Sequence, residues 1–84
     1  MTPAYQRLET ELRRLLDALK GVFTGTQCEA VEEFLRAGEY GVAFETLCGI
    51  AVEEHHAIPI ELRPAIRSLA QEMGITPDWW EPIV

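Results

Sequence analysis

The chain has 84 residues, of which fourteen are acidic and seven are basic, so its formal net charge at pH 7 is −7. A chain of this length forms one domain around a small core, with little room for a deep pocket. Its apolar runs are two or three residues long, whereas a membrane-spanning helix needs about 20 apolar residues. The sequence therefore predicts a single domain, residues 1–84, that does not cross a membrane.

The negative charge is concentrated in the middle of the chain. Residues 21–58 carry seven glutamates against one arginine, whereas residues 1–20 have a net charge of +1 and residues 59–84 of −2. Such a surface repels nucleic acid and anionic lipid and attracts basic partners. An acidic face that only keeps a small protein in solution is the commoner case. Because the N-terminus "MTPAYQRLETELRRLL" lacks the layout of a signal peptide, we expect a cytoplasmic, reduced protein.

The first predicted helix begins with Thr2 as cap and Pro3 as first helical residue, and it ends at Lys20 and Gly21. Its apolar residues recur at the three- and four-residue spacing of one helical face. These residues are Tyr5, Leu8, Leu12, Leu15, Leu16 and Leu19.

The second and third helices are predicted to form a hairpin. Thr26 is a suitable N-cap, with Glu29 three residues later to complete a capping box. We expect the second helix to run to Ala37 and to end at Gly38 in the left-handed conformation. Gly41 then falls in the first turn of the third helix, where a small residue lets the second helix approach. The expected buried residues are Cys28, Val31, Phe34, Leu35, Tyr40, Ala43, Phe44, Leu47, Cys48 and Ala51.

Two other interpretations of the glycine pair are disfavoured by its surroundings. A phosphate-binding loop needs glycines after a strand and usually a following lysine, but both flanks here are helical and acidic. The pattern Leu35-x-x-Gly38-x-Tyr40-x-x-Ala43 resembles the turn of a tetratricopeptide repeat, yet no second copy follows at the period of about 34 residues. The pattern therefore indicates a helical turn.

The third helix is expected to end at His55 or His56, and a last segment opens at Ile58-Pro59 and closes at Gly74. Its apolar face consists of Leu62, Ile66, Leu69, Ala70 and Met73. Because Pro64 lies inside this segment, the fourth helix either bends there or begins near Arg63.

Thr76-Pro77-Asp78 predicts the start of a terminal turn that carries two tryptophans. Four amphipathic helices with short connections favour antiparallel neighbours around one core. The sequence therefore predicts an all-α protein, a compact antiparallel four-helix bundle with a C-terminal turn.

Candidate chemistry is sparse. Cys28 and Cys48 lie at equal distances from the hairpin turn, so both are expected to face inward at the same level. A disulfide between them is feasible, but in a reduced protein two thiols that pack as apolar groups are favoured. Ser68, the only serine, is expected on an outer helix face, without a base beside it. We expect no enzyme activity and no cofactor.

The run Glu53-Glu54-His55-His56 contains four residue types that bind metals. Adjacent residues on a helix point about 100° apart, so only Glu53 and His56 share a face. Two ligands do not make a zinc site, and we expect no metal. The favoured role of the histidines is positive charge at a helix C-terminus.

The consecutive indoles of Trp79 and Trp80 cannot both enter one core from a short turn. Either one caps the bundle while the other lies across its edge, or the exposed one anchors a partner, because Trp is enriched at interface hot spots. We expect Glu32 and Glu45 to be dispensable for the core. The candidate partner-binding residues are Glu29, Glu32, Glu33, Glu45, Glu53, Trp79 and Trp80.

Three segments carry a family resemblance: "LRAGEYGVAFETLCGIAVEE" (35–54), "AIPIELRPAIRSLAQEMGI" (57–75) and "TPDWW" (76–80). With their glycine–acid turn, aliphatic-proline helix start, "MG" close and aromatic end, the chain resembles the MafI-type immunity proteins. These small helical proteins are encoded beside polymorphic bacterial toxins. Pro64 departs from the pattern. The resemblance implies a cytosolic inhibitor of one cognate toxin, often a nuclease with a basic cleft, and identifies no contact residues.

Three functional hypotheses follow, and a toxin-like gene directly upstream would favour the first. They are a toxin-neutralising protein with a basic partner, a helical adaptor that binds a peptide or helix of a partner protein, and a small metal or redox protein. Binding to many unrelated helices would favour the adaptor, and stoichiometric zinc the third hypothesis. A homo-oligomer is left open.

Overall fold

A computed structural model describes residues 4–84 of the chain, and over that range the protein is all-α, as predicted. Thr2 and Pro3, the predicted start of the first helix, lie outside the described residues. The elements are α1 (Ala4–Ala18), α2 (Gly25–Arg36), α3 (Tyr40–Glu53), a 3₁₀-turn (Ile60–Leu62), α4 (Arg63–Met73), α5 (Pro77–Trp80) and a second 3₁₀-turn (Glu81–Ile83).

The hairpin of α2 and α3 is the closest helix pair, and α1 lies against both helices and against α4. The C-terminal segment is part of the core rather than an appended turn. α5 contacts α3 and α4, and the side chains of Trp80 and Ile83 are buried. With five α-helices in the described range, the predicted four-helix antiparallel arrangement is not confirmed.

The predicted buried faces are largely confirmed. Leu12, Leu15, Leu16 and Leu19 are buried along α1, and α3 buries Ala43, Phe44, Leu47, Cys48 and Ala51. Tyr5 is the exception, because α1 extends past the core at its N-terminal end and leaves this side chain 69% exposed. Its ring packs against that of Tyr40 instead, with the centroids 6.2 Å apart.

The predicted N-cap of α2 is wrong by two residues. Thr24 caps the helix: its side chain accepts a hydrogen bond from the backbone N–H of Gln27, whose side chain accepts one from the backbone N–H of Thr24. In the sequence, Thr24 and the predicted cap, Thr26, are each followed three residues later by Gln or Glu, so both match the capping-box pattern. The earlier start places Phe23, which is buried, directly before the cap.

The glycine and proline predictions are confirmed, except for the reason expected at Gly41. Gly38 has a φ of 76° just after α2, and Gly74 a φ of 68° just after α4. Pro64 lies in the first turn of α4, so the helix begins at Arg63 rather than bending. Gly41 lies in the first turn of α3, but a Cβ there would meet Ile75 Cδ1 at 4.0 Å. That distance is an ordinary van der Waals contact, so the expected reason for a glycine here, a close approach of α2, is not supported.

α3 ends at Glu53, and the residue in the left-handed conformation after it is His55 rather than a glycine. Its φ is 53°, and the backbone N–H groups of His55 and His56 donate to the carbonyls of Val52 and Ala51. This is the same closing pattern that Gly38 and Gly74 make. A side chain with a Cβ is therefore held in a conformation that favours glycine.

We expect His55→Gly to raise the free energy of unfolding by about 0.5–1 kcal/mol, because relief of the left-handed strain exceeds the added entropy of the unfolded chain. Urea denaturation measures the effect. His55→Ala is the matched control, since it removes the imidazole and keeps the Cβ. Equal stability of the glycine and alanine variants would show that the backbone is not strained at this position.

Candidate functional site

Two of the three predicted acidic residues of α2, Glu29 and Glu32, form ion pairs with arginines of the chain. Arg13 of α1 forms ion pairs with Glu9, at 2.9 Å, and with Glu32 of α2. The hydroxyl of Tyr40 donates to Glu9 at 2.9 Å, so the network joins α1, α2 and α3. Hydrogen bonds from Arg13 and Tyr40 hold the pKa of Glu9 below its ordinary value of 4.5.

Arg36, in the last turn of α2, pairs with Glu29 at 2.6 Å and with Glu32 at 3.9 Å. Glu32 therefore contacts two arginines and links α1 to α2 through partly exposed ion pairs, and it lies outside the hydrophobic core. Glu33 is exposed and forms no ion pair within residues 4–84. Glu29 and Glu32 are poor candidates for a free binding surface, since a partner would have to compete with these pairs.

A different surface brings together three of the predicted residues, Glu45, Glu53 and Trp79. We call it the Trp79 face: the outward side of α3 together with the indole of Trp79 from α5. It lines a groove of about 360 Å³. Its residues are Val42, Glu45, Thr46, Gly49, Ile50, Glu53 and Trp79.

The Trp79 face combines free carboxylates with an aromatic anchor. Glu45 and Glu53 form no ion pair within the described part of the chain, in contrast to Glu29 and Glu32 of α2. Trp79 is 41% exposed and Val42 is 42% exposed. A Cβ on Gly49 would lie 3.8 Å from Cζ3 of Trp79, so the indole lies over this glycine. That separation is an ordinary van der Waals contact, so the ring packs closely on α3 at this position.

The two tryptophans have different roles. Trp80 is 8% exposed, and its Nε1 donates a hydrogen bond to the carbonyl of Ile75 at 3.1 Å. It is a core residue, and its prediction as a partner-binding residue is not supported by this burial. Trp79 is the exposed member of the pair and keeps its candidate role.

The two cysteines and His56 are engaged in packing, whereas His55 is exposed. Both cysteines are free, Cys28 half-buried and Cys48 fully buried. Nε2 of His56 lies 2.9 Å from Oε1 of Gln27, and its ring packs on Phe23 with the centroids 5.1 Å apart. Within residues 4–84, no cluster of three or more His, Cys, Asp or Glu residues has the geometry to hold a metal.

Burial raises the pKa of the Cys48 thiol to about 12. We therefore expect Cys48 to resist alkylation by iodoacetamide at pH 8 in the native protein, since the thiolate is the reactive form. Mass spectrometry should show faster labelling of Cys28, and labelling of both thiols in denaturant. Equal native rates for the two cysteines would contradict the burial of Cys48.

The sequence alone did not predict two features: the ion pairs of Glu32 and the apolar part of the Trp79 face. The pairing of Glu32 with Arg36 had a signal, because residues four apart on a helix are neighbours. Its pairing with Arg13 had none, since nineteen positions separate them. The apolar part of the Trp79 face could have been found from the spacing of Val42, Gly49 and Ile50 opposite the buried residues of α3.

Among residues 4–84, every helix is too short or too polar to cross a membrane. Within the described part of the chain, the Trp79 face combines acidic side chains with an exposed indole. Comparison with protein-family models, curated proteins and solved structures finds no match to this chain.

Proposed function

We propose that this protein is a cytoplasmic immunity protein that binds and neutralises a cognate bacterial toxin domain, and that it acts by binding rather than by catalysis. The observation that carries the proposal is the exposed indole of Trp79 over Gly49, between two carboxylates that form no ion pair within residues 4–84. The resemblance of residues 35–80 to MafI-type immunity proteins supports the same function.

The proposed mechanism is obstruction of a basic, nuclease-like site. Uncompensated carboxylates on a chain of net charge −7 steer a basic partner into contact and speed association. Once the surfaces meet, Trp79 supplies the apolar contact that holds them together, as aromatic residues do at interface hot spots. Glu45 and Glu53 lie at the edge of this contact. Their carboxylates would take the place of the substrate phosphates in the basic site of the toxin.

Protection of growing cells tests the function. The toxin-like gene next to this one is expressed in a bacterial host with the parent protein or with Trp79→Ala/Glu45→Lys. We expect growth with the parent and growth arrest with the variant, while circular dichroism shows both to be folded. A neighbouring product that is not toxic, or that the parent neither binds nor neutralises, would reject the proposal.

A helical adaptor is the second candidate, and one observation favours it. Tyr5, Tyr40 and Val42 line an apolar groove of about 510 Å³ at the start of α1 and α3. Helices that bind such grooves do so through an apolar face. Binding of several unrelated amphipathic helices to this groove, without preference for a basic toxin, would favour the adaptor.

A further inference from the structure

Two arginines of this acidic protein form no ion pair within residues 4–84. The other five basic side chains are each paired with a carboxylate of the same chain: Arg7 with Glu72, Arg13 with Glu9 and Glu32, Arg14 with Glu11, Lys20 with Asp17, and Arg36 with Glu29. Arg63 and Arg67 are the exceptions, although carboxylates outnumber basic groups two to one.

The positions of Arg63 and Arg67 do not stabilise α4. Arg63 and Arg67 are four residues apart, so they are neighbours on α4, and like charges at that spacing destabilise a helix. Arg63 is also the first residue of α4, where the helix dipole disfavours positive charge. Neither the stability of α4 nor an ion pair within residues 4–84 therefore explains why two arginines are placed here.

The arginines line one apolar groove. Together with Ile60, Gln71 and Val84, they form the wall of a cavity of about 420 Å³ on the outer side of α4. Ile60 is 71% exposed, although α4 buries Ile66, Leu69 and Ala70 on its opposite side. A large aliphatic side chain is thus presented to solvent beside two unpaired guanidinium groups.

We propose that this groove, which we call the α4 groove, is a second docking surface that takes an acidic segment of a partner protein. An apolar residue of that segment packs on Ile60, and two of its carboxylates pair with Arg63 and Arg67. Guanidinium groups suit this role because they bind carboxylates in a two-pronged geometry. The α4 groove is positively charged and the Trp79 face is negatively charged, so the two surfaces select different partners.

A protein segment fits this groove better than a small carboxylate does. Small-molecule sites bury about 70–90% of the ligand surface. Ile60, Arg63 and Arg67 are all exposed, so they surround a shallow surface and not an enclosed pocket. An amphipathic peptide can cover such a surface along its length, with carboxylates spaced one helical turn apart to match the arginines.

Two synthetic peptides test the proposal without any toxin. One is a capped helical peptide with a leucine stripe flanked by glutamates, and the other replaces every glutamate with lysine. In a ¹⁵N NMR titration, we expect the acidic peptide to shift the backbone amide signals of residues 60–71 and to leave the indole N–H signal of Trp79 in place. The basic peptide should leave residues 60–71 unchanged.

Matched variants locate the binding. Arg63→Glu/Arg67→Glu should weaken binding of the acidic peptide by about tenfold or more, and Ile60→Ser should weaken it without changing the charge. The control Arg14→Glu/Lys20→Glu, on α1 and in the turn that follows it, changes the net charge equally and should have a much smaller effect. Circular dichroism should show all variants folded, because acidic residues near the N-terminus of α4 are favourable.

Three outcomes would overturn the proposal. They are no binding of the acidic peptide, shifts confined to the Trp79 face, and an equal loss of affinity in the α1 control variant. Each is independent of the immunity function, which depends on a different surface and a different partner.

Discussion

We expect Phe44→Ala to lower the free energy of unfolding by about 3–5 kcal/mol, the range found when a buried aromatic side chain is truncated. Phe44 is the largest fully buried side chain of the described residues, and it lies on α3, which contacts α1, α2 and α5. Removing the ring leaves a cavity inside the core. Urea denaturation followed by circular dichroism measures the loss.

Val42→Ala is the matched control for this prediction. Val42 lies two residues away on the same helix and is 42% exposed, so its truncation should change the free energy of unfolding by less than about 0.5 kcal/mol. If Phe44→Ala does not fold, Ile66→Val gives a milder test, with an expected loss of about 0.5–1.5 kcal/mol. Unfolding of Phe44→Ala or Ile66→Val at the parent's urea concentration would contradict the placement of the core.

Trp79→Ala should weaken the complex with the toxin by about 2 kcal/mol or more, which is typical of an aromatic hot spot. The effect should fall mainly on the dissociation rate, because the indole acts after the surfaces meet. Trp79→Phe should retain part of the affinity, since a smaller ring still lies over Gly49. Surface plasmon resonance with the product of the neighbouring gene measures both rates.

The control for Trp79 is Glu33→Ala, which removes an exposed carboxylate of α2 outside the Trp79 face. It should change the dissociation rate little. An unchanged dissociation rate in Trp79→Ala would show that the indole does not anchor the partner, even if the protein still neutralises the toxin.

Local signals predicted much of the fold. Gly38 and Gly74 end helices because the left-handed conformation is nearly free of strain for glycine, and the 3.6-residue periodicity identified the buried face of α3. The N-cap of α2 was not decided locally, since Thr24 and Thr26 both match the capping-box pattern in the sequence and only Thr24 forms the box. The burial of Phe23, a tertiary effect, accompanies the earlier start.

The candidate site was less predictable, because it depends on contacts between distant segments. Glu32 resembled a free surface glutamate until Arg13, on another helix, was found beside it. The choice between Trp79 and Trp80 likewise depended on the packing of α5 against α3. Spacing within the sequence shows that two adjacent indoles point apart, and only the tertiary structure shows which of them is buried.

The central claim is that the carboxylates of the Trp79 face draw in a basic partner. The most direct test compares association rates of the neighbouring-gene product with the parent and with Glu45→Lys/Glu53→Lys, at salt concentrations of about 0.01 M and about 0.5 M. Glu33→Lys/Glu61→Lys is the matched control, since it changes the net charge equally and alters exposed residues outside that face. We expect the parent's rate to fall by about tenfold or more with salt, and the Glu45→Lys/Glu53→Lys rate to be slow at both concentrations. A salt-independent rate, with that variant binding as fast as the parent, would contradict the claim.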